Sequence, residues 1–239
     1  MARFAPQQTV SSVVAEAPAT AAVFERHGID FCCGGRIALA EACAGKGVEA
    51  DRLLVELEQA ALVRAPDARD WRAAPLLEVL DQILGVHHVF VKRELPRLSA
   101  LMSKVNHVHG EAHPDSIPEL ARLWGKLAFE LGMHLRKEEE VLFPALRELA
   151  LGRAPSLHCG VDSPMRVMEM EHDEHGLVLK SMRKLASDYV PPKEACGSWV
   201  ALYGGLDAFE KDLHRHVHLE NNVLFPRVRE LLSGSCCID

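Results

Sequence analysis

The strongest constraint on this chain is a pattern of residues that occurs twice. His134, Glu138, Val141, Leu142, Phe143 and Pro144 recur 82 residues later as His216, Glu220, Val223, Leu224, Phe225 and Pro226, at identical internal offsets. Residues four apart on a helix share one face about one turn apart, so the His and Glu of each copy can address a common point. Both pairs sit on apolar stripes: Leu127, Leu131, His134, Glu138, Leu142 in the first copy and Phe209, Leu213, His216, Glu220, Leu224 in the second. A carboxylate on the core side of a helix is costly unless it is paired or metal-bound. One His-x-x-x-Glu is most often a surface pair; two copies in register, each on an apolar stripe, reverse that reading in favour of metal.

Each copy is preceded, one helix earlier, by a further inward His. His172 belongs to the stripe Met165, Met168, His172, Leu179, Met182, and His88 to the stripe Leu77, Leu80, Leu84, His88, Val91, Leu95. Four long segments with a 3.6-residue apolar period, 75–106, 117–150, 164–189 and 195–232, contain these positions, and no segment alternates like a strand. Pro96, Pro144 and Pro226 fall inside them and are expected to kink or end them. Four such helices with short connections give an all-α antiparallel four-helix bundle over 75–235, built as two hairpins. Residues 65–74 read as a linker, and 1–64, with short apolar segments punctuated by Gly28, Gly34, Gly35, Gly45 and Gly47, as a small helical module.

Four His and two Glu at one level of a bundle match the way facing helices build dinuclear metal sites. This donor set suits iron, manganese or zinc without thiolate, and two bridging carboxylates with two His per metal leave coordination positions open. The first helix leaves two candidates, since His87 fits its stripe nearly as well as His88. His214 and His218 lie well around the helix from His216 and are expected to face solvent. His175, one turn from His172, is a candidate partner behind the ligands, while His107, His109 and His113 near the end of the first helix read as exposed.

Composition removes other classes of function. With 27 Lys and Arg against 34 Asp and Glu, the net charge is −7, which argues against a nucleic-acid or anionic-membrane binder. The start of the chain lacks the basic and apolar regions of a signal peptide, and no apolar run reaches about 18 residues, so a cytoplasmic location is expected. Seven Cys, an odd number without framework spacing, speak against disulfide stapling. Cys32 and Cys33 are adjacent and followed by Gly34 and Gly35; a vicinal disulfide is strained, so a redox or ligand-exchange role competes with plain burial in a tight turn. If 37–44 is helical, its dipole and Arg36 should lower a thiol pKa at this pair. Cys159 and Cys196 read as loop or buried thiols, and Cys236 and Cys237 as a frayed tail without a role.

Taken together, Asp30-Phe-Cys-Cys-Gly-Gly35, the two His-x-x-x-Glu motifs with their Leu-Phe-Pro endings, and Glu171-His172-Asp173-Glu174 resemble the repair-of-iron-centres family. These are hemerythrin-like di-iron proteins with an ScdA-type N-terminal domain, and the resemblance covers nearly the whole chain. It implies two non-haem iron ions, oxo- or hydroxo-bridged, held by His88, His134, Glu138, His172, His216 and Glu220. In the family pattern a Tyr-His pair precedes a basic stretch and Leu-Pro. Counting back from Leu95-Pro96, His87 takes the Tyr position here, which favours His88 as the ligand. Glu171 matches a family acidic residue near the site, and His109 another family His. The implied function is repair of iron–sulfur clusters damaged by nitric oxide or peroxide, by iron donation, in the nitrosative and oxidative stress response. Nitric oxide binding and its reduction to nitrous oxide are implied possibilities, with a nitric oxide or oxygen buffer as the alternative. Cys32 and Cys33 are then candidates for carrying iron or electrons, cluster-bearing client proteins are the implied partners, and a homodimer is compatible.

Overall fold

The computed structural model describes residues 3–62, 69–154 and 160–235. Among them the regular elements are helical, and the single β-bridge is an isolated one between Thr9 and Ala38. The chain is an all-α helical protein that divides into two compact units, Met1–Leu80 with His214–Asp239, and Asp81–Leu213. This division differs from the expected one in placing the last part of the chain with the N-terminal module.

In the first unit, four short helices, α1 (Val10–Glu16), α2 (Ala21–Arg26), α3 (Leu39–Lys46) and α4 (Ala50–Leu62), enclose a core that includes Val10, Val13, Phe24, Phe31, Leu39, Leu53 and Leu57. Thr9 caps α1 by accepting the Ser12 N–H, and α3 stops at Gly47, whose left-handed φ of 65° suits glycine.

The second unit, Asp81–Leu213, is a bundle of four helical stretches, of which the first begins and the last ends in the first unit. Leu76–Gln82 (α5) passes through a π-helical turn, Ile83–His88, into Val89–His109 (α6). Ile117–Lys137 (α7) is followed by the π turn Glu138–Leu142 and by Phe143–Ala150 (α8). Asp162–Leu185 (α9) leads to Gly197–Leu219 (α10), then the π turn Glu220–Leu224 and Phe225–Ser235 (α11). Helices α6 and α7 run antiparallel, since His88 meets Glu139 at one end while Ser99 accepts from Trp124 Nε1 further along. Phe209 of α10 packs on Phe90 of α6 and Trp124 of α7, and Arg183 of α9 pairs with Asp207 and Glu210 of α10. Gly205 permits the close α10–α6 contact: a Cβ there would lie 2.5 Å from Leu98 Cδ2, so the Leu98 side chain would have to shift.

The three prolines fall in two different settings. Pro96 lies inside α6 without ending it, whereas Pro144 and Pro226 sit at the second residue of α8 and α11, where the missing N–H costs little. Upstream of each, the helix widens by one residue: Phe143 donates its N–H to the Glu138 carbonyl and Phe225 to that of Glu220, both five residues back. The wide turn at Ile83–His88 likewise advances the buried face of the first helix. Val79, Leu80, Ile83, His87, His88, Val91, Glu94 and Leu98 are buried, while Leu77, Leu84 and Leu95 of the expected stripe are only half-buried. The stripes expected on the other three helices are buried at every position.

Candidate metal centre

In the bundle unit, His88, His134, Glu138 and His172 are each at most 2% exposed, and Glu138 is wholly buried. His134, Glu138 and His172 each offer a ligand atom within 4.8 Å of the others, and His88 and Glu138 do the same. His134 Nε2 lies 3.2 Å from one Glu138 carboxylate oxygen and His88 Nε2 3.5 Å from the other. His172 Nε2 is 3.0 Å from His134 Nε2. In the first unit His216 and Glu220 form the equivalent pair, with Nε2 to Oε1 at 2.9 Å, and both are buried. Each carboxylate stands at the first residue of a π turn, and His88 at the last residue of another.

The orientation of the rings comes from behind. His134 Nδ1 donates to Glu171 at 2.8 Å, and Lys137 Nζ contacts the other Glu171 oxygen. These partners, His134 foremost, hold the Glu171 carboxyl down to about 2. His88 Nδ1 donates to Glu139 at 2.7 Å, with Lys92 Nζ on the other oxygen at 2.5 Å. Burial opposes ionisation of Glu139, but Lys92 and His88 outweigh it and hold its carboxyl below the usual range. An ionised carboxylate only accepts, so Nδ1 carries a hydrogen in both rings, and in its neutral form each imidazole would present its Nε2 lone pair inward. Ligating histidines carry the same backing from a carboxylate. Inward lone pairs beside a buried carboxylate repel one another unless a cation or proton lies among them, so this donor set fits a divalent metal.

His87 turns away from Glu138: its Nδ1 meets Asp212 at 3.1 Å, while His88 faces the carboxylate. His175 is buried edge-on against the His134 ring, 5.4 Å between centroids, and burial with the neighbouring imidazoles pushes it down to about 4. Sequence reasoning missed Glu139 as a backing residue. The signal was the acidic residue directly after Glu138, which one step around the helix reaches a different neighbour.

Two expectations are overturned on the first unit. His218 is not solvated but 3% exposed, because the loop of the cysteine pair covers that face of the helix. Its Nδ1 meets the Phe31 carbonyl at 3.1 Å, and burial keeps it neutral by lowering its pKa to about 4. His214 is half-buried with its ring edge against Phe31. The second concerns Cys32, whose thiol is raised well above its ordinary value rather than lowered. Its hydrogen bond with Cys33, burial and the nearby Asp30 all favour the neutral form. Helix α3 begins only at Leu39, too far along the chain for its dipole to act on the pair.

Asp30 organises the cysteine loop by accepting the N–H groups of Cys32 and Cys33 at 3.0 and 3.1 Å. Gly35 is obligatory there, since a Cβ would sit 2.4 Å from the Phe31 carbonyl oxygen. Asn222 donates to the Cys32 carbonyl at 2.8 Å, so the loop is tied to the helix residues that flank Glu220. Cys159, Cys236, Cys237 and linker residues 65–68 lie outside the described residues. His107 is exposed as expected, whereas His109 and His113 are half-buried against Trp199.

A helical bundle with buried His and Glu donors backed by carboxylates is the architecture of hemerythrin-type cation-binding proteins. The comparison with known proteins agrees: residues 79–228 match the hemerythrin HHE cation binding domain, and residues 6–61 match the ScdA N-terminal domain, described as a domain of unknown function. The chain is 37% identical over 225 residues to a probable iron-sulfur cluster repair protein of Haemophilus influenzae, covering 93% of this chain and 96% of that one. It is 38% identical over 221 residues to the iron-sulfur cluster repair protein YtfE of Escherichia coli, covering 92% of this chain and 96% of that one. The chain therefore belongs to the repair-of-iron-centres family of hemerythrin-like proteins. No helix among the described residues is long and apolar enough to cross a membrane.

Proposed function

We propose that this chain is an iron protein that repairs damaged iron–sulfur clusters, with two iron ions held by His88, His134, Glu138, His172, His216 and Glu220. The observation that carries this reading is the pair of imidazoles, His88 and His134, whose Nδ1 atoms are committed to Glu139 and Glu171. Such backing orients Nε2 toward the buried carboxylate and suits it to a metal. Two matched His-Glu pairs, one in each half of the repeat, supply the symmetry of a dinuclear site. The names of the relatives support the repair role.

Iron bound at such a site supplies coordination positions open to a small diatomic such as nitric oxide, and an ion that can be released to a client cluster. The residues of the chain bind and orient. Glu138 and Glu220 bring negative charge into a buried site, Glu139 and Glu171 fix the rings, and Lys92 and Lys137 hold those two carboxylates ionised. The protein is expected to act in the cytoplasm during nitrosative or oxidative stress.

The test incubates the iron-loaded protein anaerobically with a [4Fe–4S] enzyme inactivated by nitric oxide, following client activity and iron remaining on the chain. Recovery of the client with matching loss of iron is the expected result. Uptake of nitric oxide without recovery would replace repair by the buffering role, and sustained nitrous oxide release would identify turnover instead. A second expectation concerns ring orientation. Glu171→Gln keeps the shape but weakens the charge-assisted bond, so iron affinity should fall by about tenfold to a hundredfold in a chelator competition. An unchanged affinity would remove Glu171 from the centre.

A further inference from the structure

At the end of α6 far from His88, a second constellation involves none of the six proposed ligands. Cys196 stands immediately before α10 and caps it, its carbonyl accepting the N–H groups of Trp199 and Val200 at 3.0 Å each. Its sulfur lies 3.2 Å from Nε2 of His109, at the C-terminal end of α6, and is near enough to the backbone N–H groups of Trp199 and Ser198 for them to favour its anion. The His109 ring is fixed against Trp199 with centroids 4.8 Å apart, and His113 meets the same indole edge-on at 4.9 Å. Trp199 is 2% exposed, a rigid floor, while Cys196 itself is exposed. Of the two settings expected for Cys196, loop or buried, the loop is the one found, and there the thiol is accessible and has an imidazole partner.

We propose that Cys196 and His109 form a thiolate–imidazolium pair that exchanges with low-molecular-weight disulfides, making Cys196 a site of reversible thiolation separate from the metal centre. The Cys196 thiolate attacks one sulfur of the disulfide, the new S–S bond forms as the old one breaks, and the departing thiolate takes the proton of His109 Nε2. The net change is one cysteine thiol and one disulfide converted to a mixed disulfide and one free thiol, with the cysteine oxidised and the departing sulfur reduced. The geometry supplies each requirement: an accessible sulfur, donors that stabilise its anion, and an acid within reach of the leaving group. The His109 imidazole, followed by the backbone donors, lowers the thiol to about 7. An attacking thiol is most effective when its pKa lies near ambient pH.

The test treats the full-length, iron-loaded protein with glutathione disulfide at pH 6.5 and maps the modified peptides by mass spectrometry over time. Cys196 is expected to be modified before Cys32 and Cys43, both buried. His109→Gln is expected to slow its modification about fivefold, a large loss of thiolate partly offset by the greater nucleophilicity of the less acidic thiol. Cys196 modified no faster than Cys43 in the parent protein would overturn the proposal without recourse to any variant. An unchanged rate in folded His109→Gln would overturn the role of the imidazole.

Discussion

Glu138→Leu is expected to leave the helices intact and to abolish iron uptake, against about two iron ions per chain in the parent. Glu138 is wholly buried, with His88 Nε2 and His134 Nε2 near its two oxygens, so its loss removes the carboxylate that we propose as a shared ligand. Leu approximates its volume and fits the run of Leu131, Leu135 and Leu142 on the same helix. Removing a buried charge also removes its desolvation cost, so the variant should melt at or above the temperature of the metal-free parent. Full iron occupancy in the variant, measured by metal analysis with circular dichroism as the folding control, would sink the ligand assignment.

The second large effect is on stability. Arg183 of α9 pairs with Glu210 at 2.9 Å and Asp207 at 3.0 Å, and Glu210 also accepts the Tyr189 hydroxyl at 2.9 Å. Glu210 is 4% exposed. The network closes a corner in which Ser187, Asp188 and Tyr189 have φ of 49°, 57° and 59°, a left-handed conformation that L side chains adopt at a cost. Arg183→Met would strand a buried carboxylate and is expected to cost about 3 kcal/mol, lowering the melting temperature by about 10 °C. Adding Glu210→Gln removes the stranded charge while keeping an acceptor for Tyr189, and should restore most of the loss. A double variant as unstable as the single one would show that lost packing, not charge burial, is responsible.

How far these features were legible follows from the kind of physics behind each. The repeat and its apolar stripes gave three of the four helix faces residue by residue, because an inward His or Glu on a 3.6-residue period is a local pattern. The first helix was read less well. Nothing in Ile83–His88 announces a π turn, and the extra residue moves Ile83 and Glu94 inward at the expense of Leu84 and Leu95. In the other two turns the Pro six residues after each Glu marks a break in the hydrogen-bond ladder, but not its width. His87 and His88 could be separated only by seeing which one meets Glu138 and which meets Asp212. His218 departs from expectation because a segment distant in sequence, the Phe31 loop, covers it, and Cys32 because α3 begins only at Leu39 while Cys33, burial and Asp30 favour the neutral thiol; the His109 partner of Cys196 is likewise invisible in sequence. Helical periodicity reports one helix against an anonymous core; it does not report which loop covers the other face.

The central claim is that six side chains hold a pair of iron ions. It is tested most directly by iron quantitation on the purified, reconstituted protein together with the visible absorption of its oxidised form. Two iron ions per chain with the absorption of an oxo-bridged diferric pair is the predicted result. A single iron per chain, or zinc bound with no such absorption, would contradict it.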